Sequence, residues 1–277
     1  MIRIDAHHHL WRLARGDYGW LTPDLVALYH DFDADALAPM LAAHDIGGTV
    51  LVQAAPTVAE TRFLLEVAAV TPFVKGVVGW VDMAAPDAAA TIDALAEDPL
   101  LKGLRPMLHD LADDDFILSP AVAPTLQAMA DRGLRLDALV RPRHLPQLAR
   151  LRARYPGLAI VVDHGGKPDI AGGDLDRWAA DLRIVAADGL SFCKLSGLVT
   201  EAGTGWSTET LRPVVDIILA AFGPARVMWG SDWPVLTLAG SYHDWMAASH
   251  ALLAGLSADD RAQVFGGTAA RFYGLEV

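Results

Sequence analysis

Three consecutive histidines, His7-His8-His9, follow Ile4-Asp5-Ala6 near the start of the chain. On a strand, side chains alternate, so His7 and His9 should share a face with Asp5 while His8 points away. Two imidazoles spaced by two residues can aim their ring nitrogens at one ion about 2.0–2.2 Å away. A second signal is Ile160-Val161-Val162-Asp163-His164-Gly165-Gly166-Lys167-Pro168, where a polar pair leaves an apolar run and enters a glycine turn. A third is Val227-Met228-Trp229-Gly230-Ser231-Asp232-Trp233-Pro234, whose Asp232 is too close to Trp and Pro to be a helix-surface acid. Each signal has a plainer reading: a tag remnant or surface cluster, a hydrogen-bonded loop histidine, a turn or helix-capping aspartate. Taken together, His7, His9, His164 and Asp232 are the imidazole and carboxylate set of a catalytic divalent site that keeps a position open for water.

Such a site needs elements that bring distant segments together. Short Val-, Ile- and Leu-rich runs occur at 2–7, 47–53, 74–81, 102–106, 134–140, 158–164, 190–196 and 225–231. Amphipathic stretches at 57–70, 86–97, 119–132, 143–155, 174–188, 207–221 and 240–254 separate them, and a last helix is expected near 257–272. Strands alternating with helices indicate βαβ units and a parallel sheet buried on both faces. Eight units predict an α/β fold, a closed (β/α)8 TIM barrel forming one domain over 1–277. No glycine-rich phosphate turn follows the first strand, which argues against an open dinucleotide-binding sheet. In a barrel the chemistry sits where strands end, and the four candidate residues all lie at strand ends.

Composition narrows the function classes. Of 277 residues, 53% are hydrophobic and 20% charged, which excludes a disordered chain. The net charge of −12, from 34 acidic and 22 basic residues, disfavours nucleic acid as a partner. One cysteine, Cys193, excludes an internal disulfide framework and a Cys-rich zinc site, and it reads as a buried hydrophobe. The opening Met1-Ile2-Arg3-Ile4-Asp5 lacks the layout of a signal peptide, and no run approaches the ~20 apolar residues of a spanning helix. The expectation is a cytoplasmic protein with no membrane partner, with a homo-oligomer as one possible state.

Beyond the four core residues, Arg105 closes strand four and could grip a carbonyl or carboxylate through its planar fork; a rim salt bridge competes. Gln53 and His109 lie just past strand ends, within reach of substrate hydroxyls, and Trp233 is a candidate sugar-stacking wall, as are Trp11, Trp20 and Trp206. Lys194 sits mid-strand and needs a partner, for which Asp137 in strand five is the candidate. Of the basic cluster Arg141, Arg143, Arg150, Arg152 and Arg154, four lie on a predicted helix and read as a solvated face, whereas Arg141 sits in the loop immediately after strand five.

The ordered segments Asp5-Ala6-His7-His8-His9-Leu10-Trp11, Lys102-Gly103-Leu104-Arg105-Pro106, Asp163 through Pro168, Cys193 through Leu198, Trp229 through Pro234 and Phe265 through Tyr273 cover most of the chain. In this order they resemble the amidohydrolase superfamily, in its branch of small lactonases. The resemblance implies hydrolysis of sugar-acid lactones such as L-fuconolactone, L-rhamnonolactone or galactonolactone. It also implies that His7, His9, His164 and Asp232 polarise the carbonyl and activate water. Binuclear branches place a bridging Lys or Glu at the end of strand four and carry a further His; here Arg105 stands there, and strand five offers no His. One divalent ion, zinc being expected, or a route without metal is therefore implied. Metal-dependent decarboxylation and hydrolysis of a dicarboxylated pyrone are the rival chemistries. Both call for several rim cations, whereas only Arg105, Arg141 and Lys167 are at hand, with Ser196, Glu201 and tryptophans supplying the later loops. A neutral polyol lactone is the better match.

Overall fold

In the computed structural model, which describes residues 2–277, eight parallel strands form one sheet in sequence order. They are β1 (Arg3–His8), β2 (Ile46–Val52), β3 (Val74–Gly79), β4 (Leu101–Leu104), β5 (Arg135–Ala138), β6 (Ile160–Val162), β7 (Phe192–Leu195) and β8 (Val227–Trp229). The ends of the sheet meet: Asp232 N–H donates to the His7 carbonyl at 2.8 Å and His9 N–H to the Trp233 carbonyl at 2.7 Å. This closes the (β/α)8 barrel that the alternating pattern predicts. All eight predicted strands are present, most of them shorter than the apolar run that predicts them, while β1 runs one residue further, to His8.

The surrounding helices are α1 (Ala34–Ala43), α2 (Val58–Ala69), α3 (Ala88–Leu95), α4 (Ala123–Asp131), α5 (Leu145–Arg154), α6 (Asp176–Ala186), α7 (Leu198–Ala202), α8 (Thr208–Phe222), α9 (Tyr242–Leu252), α10 (Ala258–Ala262) and α11 (Thr268–Tyr273). Helix α1 is absent from the sequence expectation. Pro39 inside it and the flanking acids break the helical pattern, yet the Asp33 carboxylate caps its start by accepting from Ala36 N–H at 2.9 Å. The last predicted helix is divided by a π-helical turn at Gln263–Gly267, where Gly266 passes so close to the Ile2 carbonyl that a Cβ would lie 2.1 Å from it. No helix among the described residues is long and apolar enough to cross a membrane.

Two hydrophobic clusters divide the core. The larger lies between strands and helices; the smaller fills the lower bore with Ile4, Ala6, Val50, Val52, Val78, Val161 and Met228, closed from below by Phe272 and Tyr273. Strict alternation fails in β1. Asp5 pairs with Thr49 and His8 with Leu51, so three steps on β1 match two on β2, the signature of a bulge. The expected shared face of Asp5 and His7 is therefore corrected. Asp5 turns outward, where it accepts from Tyr242 O–H of α9 at 3.0 Å and from Ser231 N–H at 2.8 Å. His8 also turns outward, to Thr49 Oγ1 at 2.9 Å. Ala6, His7 and His9 face inward.

Candidate active site

The four strand-end residues converge. Nε2 of His7 and of His9 are 3.2 Å apart, and both approach Asp232 Oδ1, at 3.6 and 3.3 Å. His164 Nε2 stands 3.9 Å from the same oxygen. All four side chains are nearly buried, and His9, His164 and Asp232 line the floor of a cleft of about 220 Å³ at the carboxyl-terminal mouth.

Local structure aims each group. His9 Nδ1–H donates to the Val52 carbonyl at 2.8 Å, and since a carbonyl only accepts, Nε2 keeps its lone pair toward the cluster. His164 Nδ1 meets Ser196 Oγ at 2.8 Å. Its imidazole fits there because Gly197, at φ 64°, has no Cβ; one would lie 2.6 Å from Nδ1. His164 and Asp232 both occupy the left-handed region, at φ 53° and 59°, which costs a residue with a Cβ about 1–2 kcal/mol. Asp5, behind β1, accepts from both His7 N–H and Ser231 N–H and so ties the strand bearing His7 to the loop bearing Asp232.

Electrostatics favour neutral imidazoles beside an ionised carboxylate. Burial pushes His7 and His164 well below the usual histidine range, and burial also lowers His9. Burial alone would raise the Asp232 carboxyl, but His164, His9 and Lys167 more than offset it and hold it below its ordinary value. The free Nε2 lone pair of His9 and the Asp232 carboxylate are donors for a divalent ion, and His7 Nε2 joins them in the tautomer whose Nδ1–H faces Asp163 Oδ1, 3.6 Å away. For bonds of about 2.0–2.1 Å, the edge of a tetrahedron is about 3.4 Å, and the 3.2, 3.3 and 3.6 Å separations bracket that edge. The donors of His7, His9 and Asp232 thus fit a zinc-sized ion.

Beneath the cluster lies a second, sealed polar layer. Lys194 Nζ bonds Asp137 Oδ2, lies 3.1 Å from Asp163 Oδ1 and reaches His7 Nδ1 at 3.1 Å. Tyr273 O–H donates to Asp137 Oδ2 at 2.7 Å. The Lys194–Asp137 pair expected from the sequence is present, and Asp163 joins it. Arg105 bridges the layers, with Nη1 3.3 Å from His7 Nε2 and 3.7 Å from Asp163 Oδ2 while its side chain borders the cleft.

The remaining candidates divide. His109 lines the cleft, its imidazole lowered to about 3 by burial and by the Arg105 and Lys167 charges. Gln53 is fully buried behind the wall, its amide donating to the Arg105 carbonyl at 2.8 Å while its own carbonyl accepts from Arg105 Nη2. Trp233 is packed edge-on against Phe32 at 5.1 Å and is not part of the cleft wall; Trp20 is, held by its indole N–H to the Ala54 carbonyl at 2.7 Å. Met107, Leu139 and Val235 complete an apolar wall that sequence reasoning did not single out, because apolar residues on loops carry no motif. The arginines after β5 clamp the preceding loop, as in Arg143 to Asp114 at 2.6 Å and Arg150 to Asp115 at 3.0 Å.

A parallel barrel with three imidazoles and one carboxylate at its carboxyl-terminal mouth carries the groups of a barrel hydrolase and donors that could hold a divalent ion. The chain belongs to the amidohydrolase family, whose model matches residues 4–275. It is 47% identical to an L-fucono-1,5-lactonase from Burkholderia ambifaria, covering 99% of this chain and 96% of that one. An L-fucono-1,5-lactonase from Burkholderia multivorans is 41% identical at the same coverage. A crystal structure of an amidohydrolase from Burkholderia multivorans with bound zinc superposes with a TM-score of 0.94 at 39% identity, over the whole of both chains.

Proposed function

We propose that the protein hydrolyses a sugar-acid lactone, a six-membered L-fucono-1,5-lactone or a close relative, to the open-chain acid. The observation that carries this reading is the meeting of ionised Asp232 with the Nε2 atoms of His7, His9 and His164 on the floor of one cleft. Relatives that share 47% and 41% of its residues carry the lactonase name.

Asp232 serves as general base. Its carboxylate takes a proton from the water that attacks the lactone carbonyl, and ring opening requires a proton on the departing ring oxygen, which the same carboxyl returns. Arg105, beside His7 at the cleft's edge, offers a fixed positive charge to the oxygen that gains negative character as the carbonyl is attacked. The Lys167 ammonium on the same cleft favours the ionised form of Asp232, and His164 Nε2 stands 3.9 Å from its carboxylate. His7, His9 and Asp232 would hold one divalent ion, with His164 at its side. When bound, such an ion lowers the pKa of water and polarises a carbonyl. The apolar wall of Trp20, Met107, Leu139 and Val235 suits the C–H face and methyl group of a deoxy sugar.

The test is a pH-indicator assay over aldonolactones, run with and without chelator and after zinc is restored. Acid release from L-fucono-1,5-lactone is expected. Release of CO2 from an aromatic acid, with no lactone opened, would overturn the reading.

A further inference from the structure

The turn after β6 places four successive residues at positive φ: His164 at 53°, Gly165 at 61°, Gly166 at 77° and Lys167 at 51°. Two of them bear a Cβ and so adopt a costly conformation. His164 belongs to the reactive floor, but Lys167 does not. The Trp178 indole N–H donates to the Gly165 carbonyl at 2.7 Å and fixes the turn from behind. The Lys167 side chain lines the same cleft as Asp232, and its ammonium donates to Glu201 Oε1 of α7. The side chains of this ion pair are 18% and 20% exposed; Lys167 lines the cleft, and Glu201 holds it from outside the lining.

An ammonium can only donate and a carboxylate can only accept, whereas a hydroxyl does both. With one N–H given to Glu201, the ammonium keeps two to donate to the oxygens of neighbouring ring hydroxyls, and a bare methylene offers it no acceptor. The other walls offer Trp20, Met107, Leu139 and Val235, which suit carbon. We infer that Lys167, held by Glu201, recognises a pair of ring hydroxyls and sets the preference for polyhydroxylated lactones over plain ones. This rests on the lactonase reading for its kinetic test and is independent of it in its binding test.

The kinetic test compares L-fucono-1,5-lactone with δ-valerolactone, which has the same ring size and no ring hydroxyls. In Lys167→Met the ratio of kcat/KM for the two substrates should fall about tenfold, carried by KM on the hydroxylated one, because a site built around hydroxyl contacts loses them selectively. Glu201→Gln should lower the ratio a few-fold, about what one charge-assisted contact contributes. A ratio that is kept, whether or not both rates fall, would overturn the inference; melting temperatures of both variants identify any general loss of folding. Calorimetry with L-fucono-1,5-lactam against δ-valerolactam reads the same preference without turnover. If the wild-type protein opens neither lactone, the lactonase reading falls. The inference then stands on selective lactam binding that Lys167→Met removes, and falls if the protein binds both lactams alike or binds neither.

Discussion

Above and below the His7 ring, the bore holds the same kinds of groups under opposite conditions. Above it, Asp232 borders the cleft, and the neighbouring nitrogens of His7, His9 and His164 are neutral and open to a new partner. Below it, Asp137 and Asp163 are sealed from water and committed to Lys194, with Tyr273 covering one oxygen. A carboxylate that must exchange protons needs access to the cleft. One that must hold a structure needs the reverse, since a charge buried without its partner costs far more than the pair contributes. Residue type is therefore a poor guide to role here; depth in the barrel decides.

Substitutions at the two depths should separate along this line. The largest effect belongs to Asp232→Asn, which removes the proton acceptor and keeps the shape. Lactone kcat should fall by about 10³-fold or more, within the range for a lost general base, while the melting temperature stays close to wild type. Near-normal turnover would place the chemistry elsewhere. The deep layer should respond through stability: Lys194→Met leaves Asp137 without its cation and Asp163 with Arg105 alone, 3.7 Å away, and should cost about 3–5 kcal/mol in urea unfolding. A loss under about 1 kcal/mol would mean that the deep carboxylates share a proton and need no cation.

Another buried carboxylate sharpens the contrast. Glu60 has backbone N–H partners at Ala54 and Ala55, and burial, aided by the Asp17 charge, raises its carboxyl to about 7. A raised folded-state value means that its contribution is fully present below the unfolded value and is lost as pH rises through the folded one. Glu60→Gln should therefore gain stability relative to wild type between about pH 4.5 and 7, by up to about 3 kcal/mol, read as the difference between two unfolding-versus-pH curves. Parallel curves would count against the raised value. The smallest expected effect is that of Tyr273→Phe, which strips one charge-assisted hydrogen bond from Asp137 and should cost about 1.5–3 kcal/mol with lactone kcat retained. A fall in kcat with no loss of stability would show that the two layers are coupled in the reaction.

The upper layer was legible in the sequence because its residues end strands. Asp5-Ala6-His7-His8-His9, Asp163-His164 and Ser231-Asp232 each break an apolar run at the point where a barrel displays chemistry. The Lys194–Asp137 pair was legible as a charge in a strand that needed an answer. Other features were hidden for physical reasons. Gln53 looked available one residue past its strand, but the Arg105 backbone captures its amide. Met107 and Val235 contribute to the cleft by position alone, and position is not written in residue type. Asp5 depends on a partner, Tyr242, more than two hundred residues away along the chain.

The irregularity in β1 has a consequence for anyone who would transplant this site. On an unbroken strand with Ala6 turned inward, only the middle histidine of the triplet would enter the bore, and it would arrive alone. The single extra residue between Asp5 and His8 acts as a change of parity: it converts one inward imidazole into two, flanking an outward one. A graft of Ala6 through His9 onto a regular barrel strand with Ala6 kept inward would therefore reproduce the letters and lose both outer ligands, unless the extra residue, and the Asp5 anchor that holds it against the Ser231 loop, travelled with them.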